Sequence, residues 1–73
     1  MATQLPDGSV KEALAEAADY CGGWNHFVGD TNSSRSSMSH WVSRNEVPPV
    51  KAKMIETVTG GLVKRERLSS LYL

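Results

Sequence analysis

The chain has little of what most binding or catalytic sites are made from. Its 73 residues include one cysteine and one phenylalanine, and its formal net charge is zero. Cys21 cannot form a disulfide within the chain, so we expect a reduced, cytoplasmic setting. No apolar run is long enough to cross a membrane, and the opening Met-Ala-Thr-Gln lacks the basic and apolar regions of a signal peptide. We therefore expect a small domain that is neither exported nor membrane-bound.

Metal ligands and catalytic groups are also scarce. Cys21, His26 and His40 are the only soft ligands, and their Cys-x4-His-x13-His spacing fits no common zinc site and lacks a fourth ligand. The serines near His40 suggest a hydrolase, but such a nucleophile needs an oriented base inside a pocket, and a domain of this size has little room for one. We expect no metal, no cofactor and no enzymatic activity.

The zero net charge argues against a uniformly basic nucleic-acid binder, but the charges are unevenly distributed. Residues 1–34 carry five acidic residues against Lys11, a balance of −4, whereas residues 35–73 carry seven basic residues against three acidic ones, a balance of +4. A polyphosphate backbone would be attracted to the second part and repelled by the first.

Apolar spacing predicts an amphipathic first helix after a mobile arm over residues 1–8. Ser9-Val10-Lys11-Glu12 matches a capping box, with Ser9 as N-cap and Glu12 bonding back to it. The apolar residues that follow recur at i, i+3, i+4 and i+7 as far as Cys21. Gly22-Gly23 then provides a helix end.

The stretch 24–42 predicts two short helices around a tight turn. Two apolar sets repeat at i, i+3, i+4: Trp24, Phe27 and Val28, then Met38, Trp41 and Val42. Between them lies the polar stretch 30–33, where Asn32 tolerates a positive φ angle. Ser34 is a suitable N-cap for the second of these helices. The pattern is typical of a helix-turn-helix.

The remainder predicts a fourth helix and one or two further helical turns. Pro48-Pro49 begins the fourth helix and Gly60-Gly61 ends it, and residues 64–71 form the last turns. No linker separates domains. We therefore expect an all-α fold of four to five short helices, with residues 9–73 as a single domain.

The outer face of the third helix is rich in serine around Arg35. A structural surface helix usually carries Glu, Lys, Gln and Ala, because these residues favour helix and serine does not. Short side chains that donate and accept hydrogen bonds suit a DNA major groove instead. The alternative is a serine-rich loop with some helical turns, which the helical period of Met38, Trp41 and Val42 disfavours.

Residues 10–68 together resemble the small Cro-like regulators of prophages and temperate phages, most closely the YdaS/Cro subgroup. The resemblance lies in the helix-turn-helix and in an ordered set of short motifs: Gly22-Gly23, Ser39-His40-Trp41, Val47-Pro48, Ile55-Glu56, Thr59-Gly60-Gly61 and Val63. Val28 stands where the family usually has alanine, Asn32 where it has glycine, and Trp24 where a glutamine holds a phosphate.

The resemblance implies a Cro/repressor-like helix-turn-helix domain that represses transcription by binding double-stranded operator DNA. The third helix would enter the major groove of a twofold operator bound by two copies, with half-sites roughly 34 Å apart. The residues expected at base edges are Arg35, Ser36, Ser37 and His40. Those expected at phosphates are Trp24, Asn25, Ser34, Ser39, Arg44, Lys51 and Lys53. For the two lysines, an ordinary solvated face is an equal alternative.

Two further alternatives concern partners. The apolar tail 68–73 and the zero net charge also fit an antitoxin-like or adaptor module that binds a protein. Self-association, as a weak or DNA-assisted dimer, is expected through Leu62, Val63, Leu71 and Tyr72, unless the tail covers the core instead. The tryptophans could form a stacking platform for single strands, but their helical spacing predicts a core position, above all for Trp41.

Overall fold

The computed structural model describes residues 4–73, which form four α-helices and two single turns of 3-10 helix, with no strand in that range. The helices are α1 (Ser9–Tyr20), α2 (Trp24–Asp30), α3 (Arg35–Arg44) and α4 (Pro49–Val58), followed by 3-10 turns at Arg65–Arg67 and Ser70–Tyr72. The predicted all-α class is confirmed.

The glycine pair ends α1 as predicted. Gly22 and Gly23 have φ angles of 92° and 124°, which residues with a side chain rarely adopt. The amide of Gly23 donates to the carbonyl of Ala18 at 2.8 Å. A carbonyl of the last helical turn is thus hydrogen-bonded by the residue that follows the helix end.

The start of α1 differs from the predicted capping box. The N-cap is Gly8, which has a φ of 77° and no side chain that could accept a hydrogen bond from the first turn. The Ser9 hydroxyl donates instead to the carbonyl of Arg67 at 2.8 Å, and the amide of Val10 donates to Oδ1 of Asn45 at 3.1 Å. Partners far away in the chain replace the local cap, because the core brings the C-terminal segment and the end of α3 against this helix terminus.

The turn between α2 and α3 has the predicted form. Asn32 adopts a φ of 51°, and the amide of Ser33 donates to the carbonyl of Val28 at 2.9 Å. Ser34 caps α3 by accepting a hydrogen bond from the amide of Ser37 at 3.1 Å. The connection between the two helices therefore takes only four residues, 31–34.

The core lies where α1 meets α2, α3 and the C-terminal segment, and α4 packs against that segment. Met38 and Trp41 are buried, with 3% and 8% of their surface exposed, as their spacing predicts. Phe27 is fully buried and Trp24 half-buried at its edge. The other buried apolar residues are Leu5, Val10, Ala13, Leu14, Ala17, Ala18, Val47, Ala52, Ile55, Val63 and Leu68.

The segment before α1 is not a free arm in its described part. Leu5 is buried in the core, and the side-chain amide of Asn45 donates to the carbonyl of Pro6 at 3.0 Å. A core this small gains from one more leucine, which outweighs the turn-like composition of the segment. Residues 1–3 of the predicted arm lie outside the described residues.

The C-terminal residues expected to mediate self-association differ in how far they are buried. Val63 and Leu68 are fully buried and complete the core, whereas Leu62 and Leu71 are 53% and 73% exposed. Tyr72 is half-buried and donates from its hydroxyl to the carbonyl of Pro49 at 3.2 Å. Among residues 4–73, no helix combines the length and apolarity needed to cross a membrane.

Candidate nucleic-acid interface

The outward side of α3 is a shallow, open surface of short polar and basic side chains. We call it the α3 face; it consists of Arg35, Ser36, Ser39, His40 and Ser43. All five side chains are exposed. They lie on the side of the helix opposite Met38 and Trp41, which are held in the core.

The spacing on α3 explains why these residues share a surface. Ser36, Ser39, His40 and Ser43 are three or four residues apart, so their side chains lie one above another on the helix. Serine hydroxyls and the imidazole both donate and accept hydrogen bonds, and Arg35 adds a fork of N–H donors. Because the serines are short, a flat or convex partner can approach the helix backbone closely.

Ser34 and Ser37 bond to each other at the start of α3. The amide of Ser37 donates to Oγ of Ser34, and the Ser34 hydroxyl donates to Oγ of Ser37, both at 3.1 Å. Ser37 is half-buried. Two of the predicted contact residues thus hold the helix terminus in place, and the Ser37 O–H is the donor that remains for a partner.

Trp24 and Arg35 form a contact between α2 and α3. The guanidinium carbon of Arg35 lies over the Trp24 ring, 5.8 Å from its centroid. The same indole packs edge-on against Phe27, with ring centroids 6.0 Å apart and planes at 61°. The sequence predicted Trp24 as a phosphate donor and as part of the apolar stripe, but no local pattern indicated its contact with Arg35. Asn25, the next residue, is exposed.

The two lysines of α4 have different surroundings. The ammonium of Lys51 donates to the carbonyls of Thr31 and Asn32 at 2.7 and 2.9 Å, so it lies against the turn between α2 and α3. Lys53 is exposed and its carbonyl accepts from Thr57 within the helix. Two of the three N–H donors of Lys51 therefore bond carbonyl groups at the end of α2. This differs from both expectations for Lys51, which were a phosphate contact and an ordinary solvated side chain.

Arg44 lies apart from the other predicted residues. It occupies the last turn of α3 and lines a groove with Glu46, Pro48 and Ser70, whereas Arg35 is at the opposite end of the helix. The structure therefore groups Trp24, Arg35 and the α3 face, and it separates them from Arg44.

A second groove runs beside α3 and contains a basic residue absent from the predicted contacts. It measures about 500 Å³ and is lined by Lys11, Ala15, Trp24, Arg35, Met38, Ser39, Val42 and Ser43. Lys11 belongs to α1, yet it lies at the edge of the α3 face. The available signal was that Lys11 is the only basic residue in the first 34; its position beside α3 depends on the packing of the two helices.

The cysteine, the histidines and the carboxylates of residues 4–73 form no group of three that could hold a metal ion. Burial raises the pKa of the half-buried Cys21 thiol, and the nearby Asp30 carboxylate raises it further. The thiol therefore stays protonated at neutral pH, whereas nucleophiles and metal ligands need the thiolate. Comparison of the chain with protein-family models, with curated proteins and with solved structures gives no match.

Proposed function

We propose that this protein binds double-stranded DNA in a sequence-specific manner and represses transcription, as a helix-turn-helix regulator of the Cro type in the cytoplasm. The observation that carries the proposal is the α3 face. Its side chains are exposed, and apart from the Arg35 guanidinium at its start it lacks the long charged residues of an ordinary surface helix. These features suit an α-helix that enters a major groove.

In this proposal α3 lies in the major groove with its N-terminal half at the base edges. Arg35 bonds the O6 and N7 acceptors of a guanine, which a guanidinium matches better than any other side chain. Ser36, Ser37 and His40 bond neighbouring bases. Occupation of the operator then excludes polymerase or a competing repressor.

The phosphate contacts in this proposal come from the α3 face, from the groove beside it and, for Arg44 and Lys53, from the end of α3 and from α4. Ser39, Lys53 and Arg44 have exposed polar or basic groups, and Lys11 joins them because it lines the groove beside α3. Asn25, next to Trp24, completes the set, and we leave Ser34 out because its hydroxyl already donates to Oγ of Ser37. We leave Lys51 out, since two of its three N–H donors already bond the turn.

We propose further that two copies bind a twofold operator as a weak or DNA-assisted dimer. The exposed leucines of the C-terminal part, Leu62, Leu71 and Leu73, supply apolar surface beyond what the core uses. Half-sites about one helical turn apart would place the two α3 helices in successive major grooves on one side of the DNA.

The test is selection of bound sites from a random DNA pool, followed by titration of a selected site and of random DNA at two salt concentrations. A sequence-specific regulator enriches a twofold motif and loses affinity steeply as salt rises. Arg35→Ala should weaken operator binding by about 1–3 kcal/mol and relax the preference at one base pair. Lys53→Ala should weaken all sequences alike and reduce the salt slope by about one. Equal behaviour of the two variants would contradict base reading by Arg35.

A second candidate function is an antitoxin-like or adaptor module on the same fold. The exposed Leu71 and Leu73, 73% and 58% accessible, favour a protein partner. The same experiment separates the two functions, since an adaptor enriches no DNA motif and shows no salt-dependent binding to the selected pool.

A further inference from the structure

We infer that Trp24 is a positioning residue that holds the Arg35 guanidinium in the orientation needed to read a guanine. The inference rests on the proposed function, because it assigns to α2 a part in the base specificity of α3. It replaces the expected role of the Trp24 indole N–H as a phosphate donor by a role of the ring face.

Among residues 4–73, no other side chain pairs with Arg35 to orient it. It is the first residue of α3, its side chain is exposed, and it forms no salt bridge with another residue in the range 4–73. A long side chain with four rotatable bonds samples many rotamers in water, and each ordered contact with DNA must overcome that entropy. A group that restricts those rotamers before binding would favour the bound geometry.

Trp24 has the position and rigidity for this task. Its indole is half-buried and packs edge-on against the fully buried Phe27, so the core fixes the plane of the ring. The guanidinium carbon of Arg35 lies over that ring, 5.8 Å from its centroid, within the distance of a cation–π contact.

The contact leaves the hydrogen-bonding edge of Arg35 free. At 5.8 Å from the ring centroid, the contact with Trp24 depends on the positive charge of the guanidinium over the ring. The fork of N–H groups, which lies in the plane of the guanidinium, remains available for the O6 and N7 acceptors of a guanine.

Two variants of Trp24 separate this role from the alternatives. Trp24→Phe keeps an aromatic ring but removes the indole N–H. Trp24→Leu keeps an apolar side chain beside Phe27 but removes the ring. If Trp24 acts through its ring, phenylalanine substitutes for it and leucine does not. If it acts as a phosphate donor, both variants fail alike. Thermal melting of both variants verifies that each is folded.

The first measurement needs no DNA. In the NMR spectrum of the free protein, ring current from Trp24 should move the Arg35 side-chain protons upfield of their unstructured positions. Trp24→Leu should return them to those positions, and Trp24→Phe should retain part of the shift. Arg35 protons at unstructured positions in the wild type would overturn the inference whatever the protein binds.

The second measurement compares a selected operator with the same operator lacking the guanine that Arg35→Ala identifies. Trp24→Leu should lose about two- to fivefold of the discrimination between them, the effect of an exposed cation–π contact. Trp24→Phe should keep most of it, and affinity for random DNA should not change in either variant. Full discrimination by Trp24→Leu would overturn the inference and leave the proposed function intact. A wild type that enriches no motif would overturn the proposed function and the inference together.

Discussion

At the scale of single residues, Asn45 joins three parts of the chain that are far apart in sequence. It ends α3 with a φ of 53°, its Oδ1 accepts from the amide of Val10, and its side-chain amide donates to the carbonyl of Pro6. Asparagine suits both demands, because it tolerates the left-handed conformation and has a donor and an acceptor. One side chain therefore replaces the local cap that the start of α1 lacks.

Substitution of Asn45 should separate the contribution of its side-chain hydrogen bonds from that of its left-handed backbone conformation. Asn45→Gly keeps the backbone conformation and loses the hydrogen bonds, at a cost of about 1–2 kcal/mol. Asn45→Ala also strains the backbone and should cost about 1 kcal/mol more. Urea denaturation of both variants measures the difference. Equal stability of the two would show that the left-handed conformation carries no penalty at this position.

Trp41 is the second residue on which stability depends. It is buried within α3, so Trp41→Ala leaves a large cavity and should cost about 3–5 kcal/mol. In a domain of this size that approaches the whole free energy of unfolding. Thermal melting tests this, with the half-exposed Trp24→Leu as the matched control, which should lose much less. A Trp41→Ala variant that melts within a few degrees of wild type would contradict the core position.

At the scale of elements, the orientation of α2 and α3 depends on α4 as well as on the turn between them. Asn32 allows the tight turn, Ser34 caps α3, and Lys51 bonds the carbonyls of Thr31 and Asn32 at the end of α2. A cation at the C-terminus of a helix also interacts favourably with the helix dipole. The two helices are therefore held from outside the stretch that forms them.

The lysines of α4 should show opposite effects on stability and binding. Lys51→Met removes two hydrogen bonds to the turn and should destabilise the fold by about 1 kcal/mol, since the site is partly exposed. Lys53→Met should leave stability unchanged and weaken binding to all DNA sequences alike. Chemical denaturation and DNA titration of both variants test the pair. A stable Lys51→Met variant would contradict the supporting role of Lys51.

At the scale of the whole molecule, two ion pairs join the C-terminal segment to the helices. Arg67 bonds Glu16 of α1, and Arg65 bonds Glu56 of α4 at 2.7 Å. The hydrogen bonds with these arginines lower the pKa of both carboxyl groups below the ordinary value of 4.5. The segment that supplies Val63 and Leu68 to the core is thus also held by charge at its surface.

The lowered pKa values predict the direction of an acid dependence. A carboxyl group with a lower pKa in the folded state stabilises the fold above its unfolded pKa, and that stabilisation is lost as pH falls through the folded value. Unfolding free energy should therefore decrease below about pH 4.5. Glu16→Gln and Glu56→Gln should each flatten this decrease in denaturation curves measured from pH 7 to 3. An unchanged slope in both variants would show that the pairs do not stabilise the fold.

The exposed leucines of the C-terminal segment are expected to form the contact between two copies. Leu71→Ser with Leu73→Ser should leave the thermal midpoint unchanged, because both side chains lie outside the core. If they form the dimer contact, operator binding loses its cooperativity and sedimentation shows monomers at all concentrations. Tyr20→Ser, at another exposed apolar residue on α1, is the control. Retained cooperativity in the leucine variant would contradict this interface.

Short-range patterns in the sequence by themselves determined the helical elements. The apolar spacing marked α1, α2, α3 and α4, the glycine pairs marked helix ends, and Ser34 and Asn32 marked the turn. Each of these depends on neighbours within about four residues, through helical periodicity, side-chain caps and allowed φ angles. The burial of Met38 and Trp41 followed from the same periodicity.

Contacts between distant residues were decided only by the tertiary structure. The packing of Leu5, the bonds of Asn45 and Lys51, and the cation–π contact of Arg35 with Trp24 join residues that no local pattern connects. Lys11 likewise reached the α3 face because α1 packs against α3. Packing is driven by burial of apolar surface, which depends on the area buried and not on the direction of a contact. A polar side chain then bonds whichever group this packing brings near it, and short-range sequence patterns do not reveal which group that is.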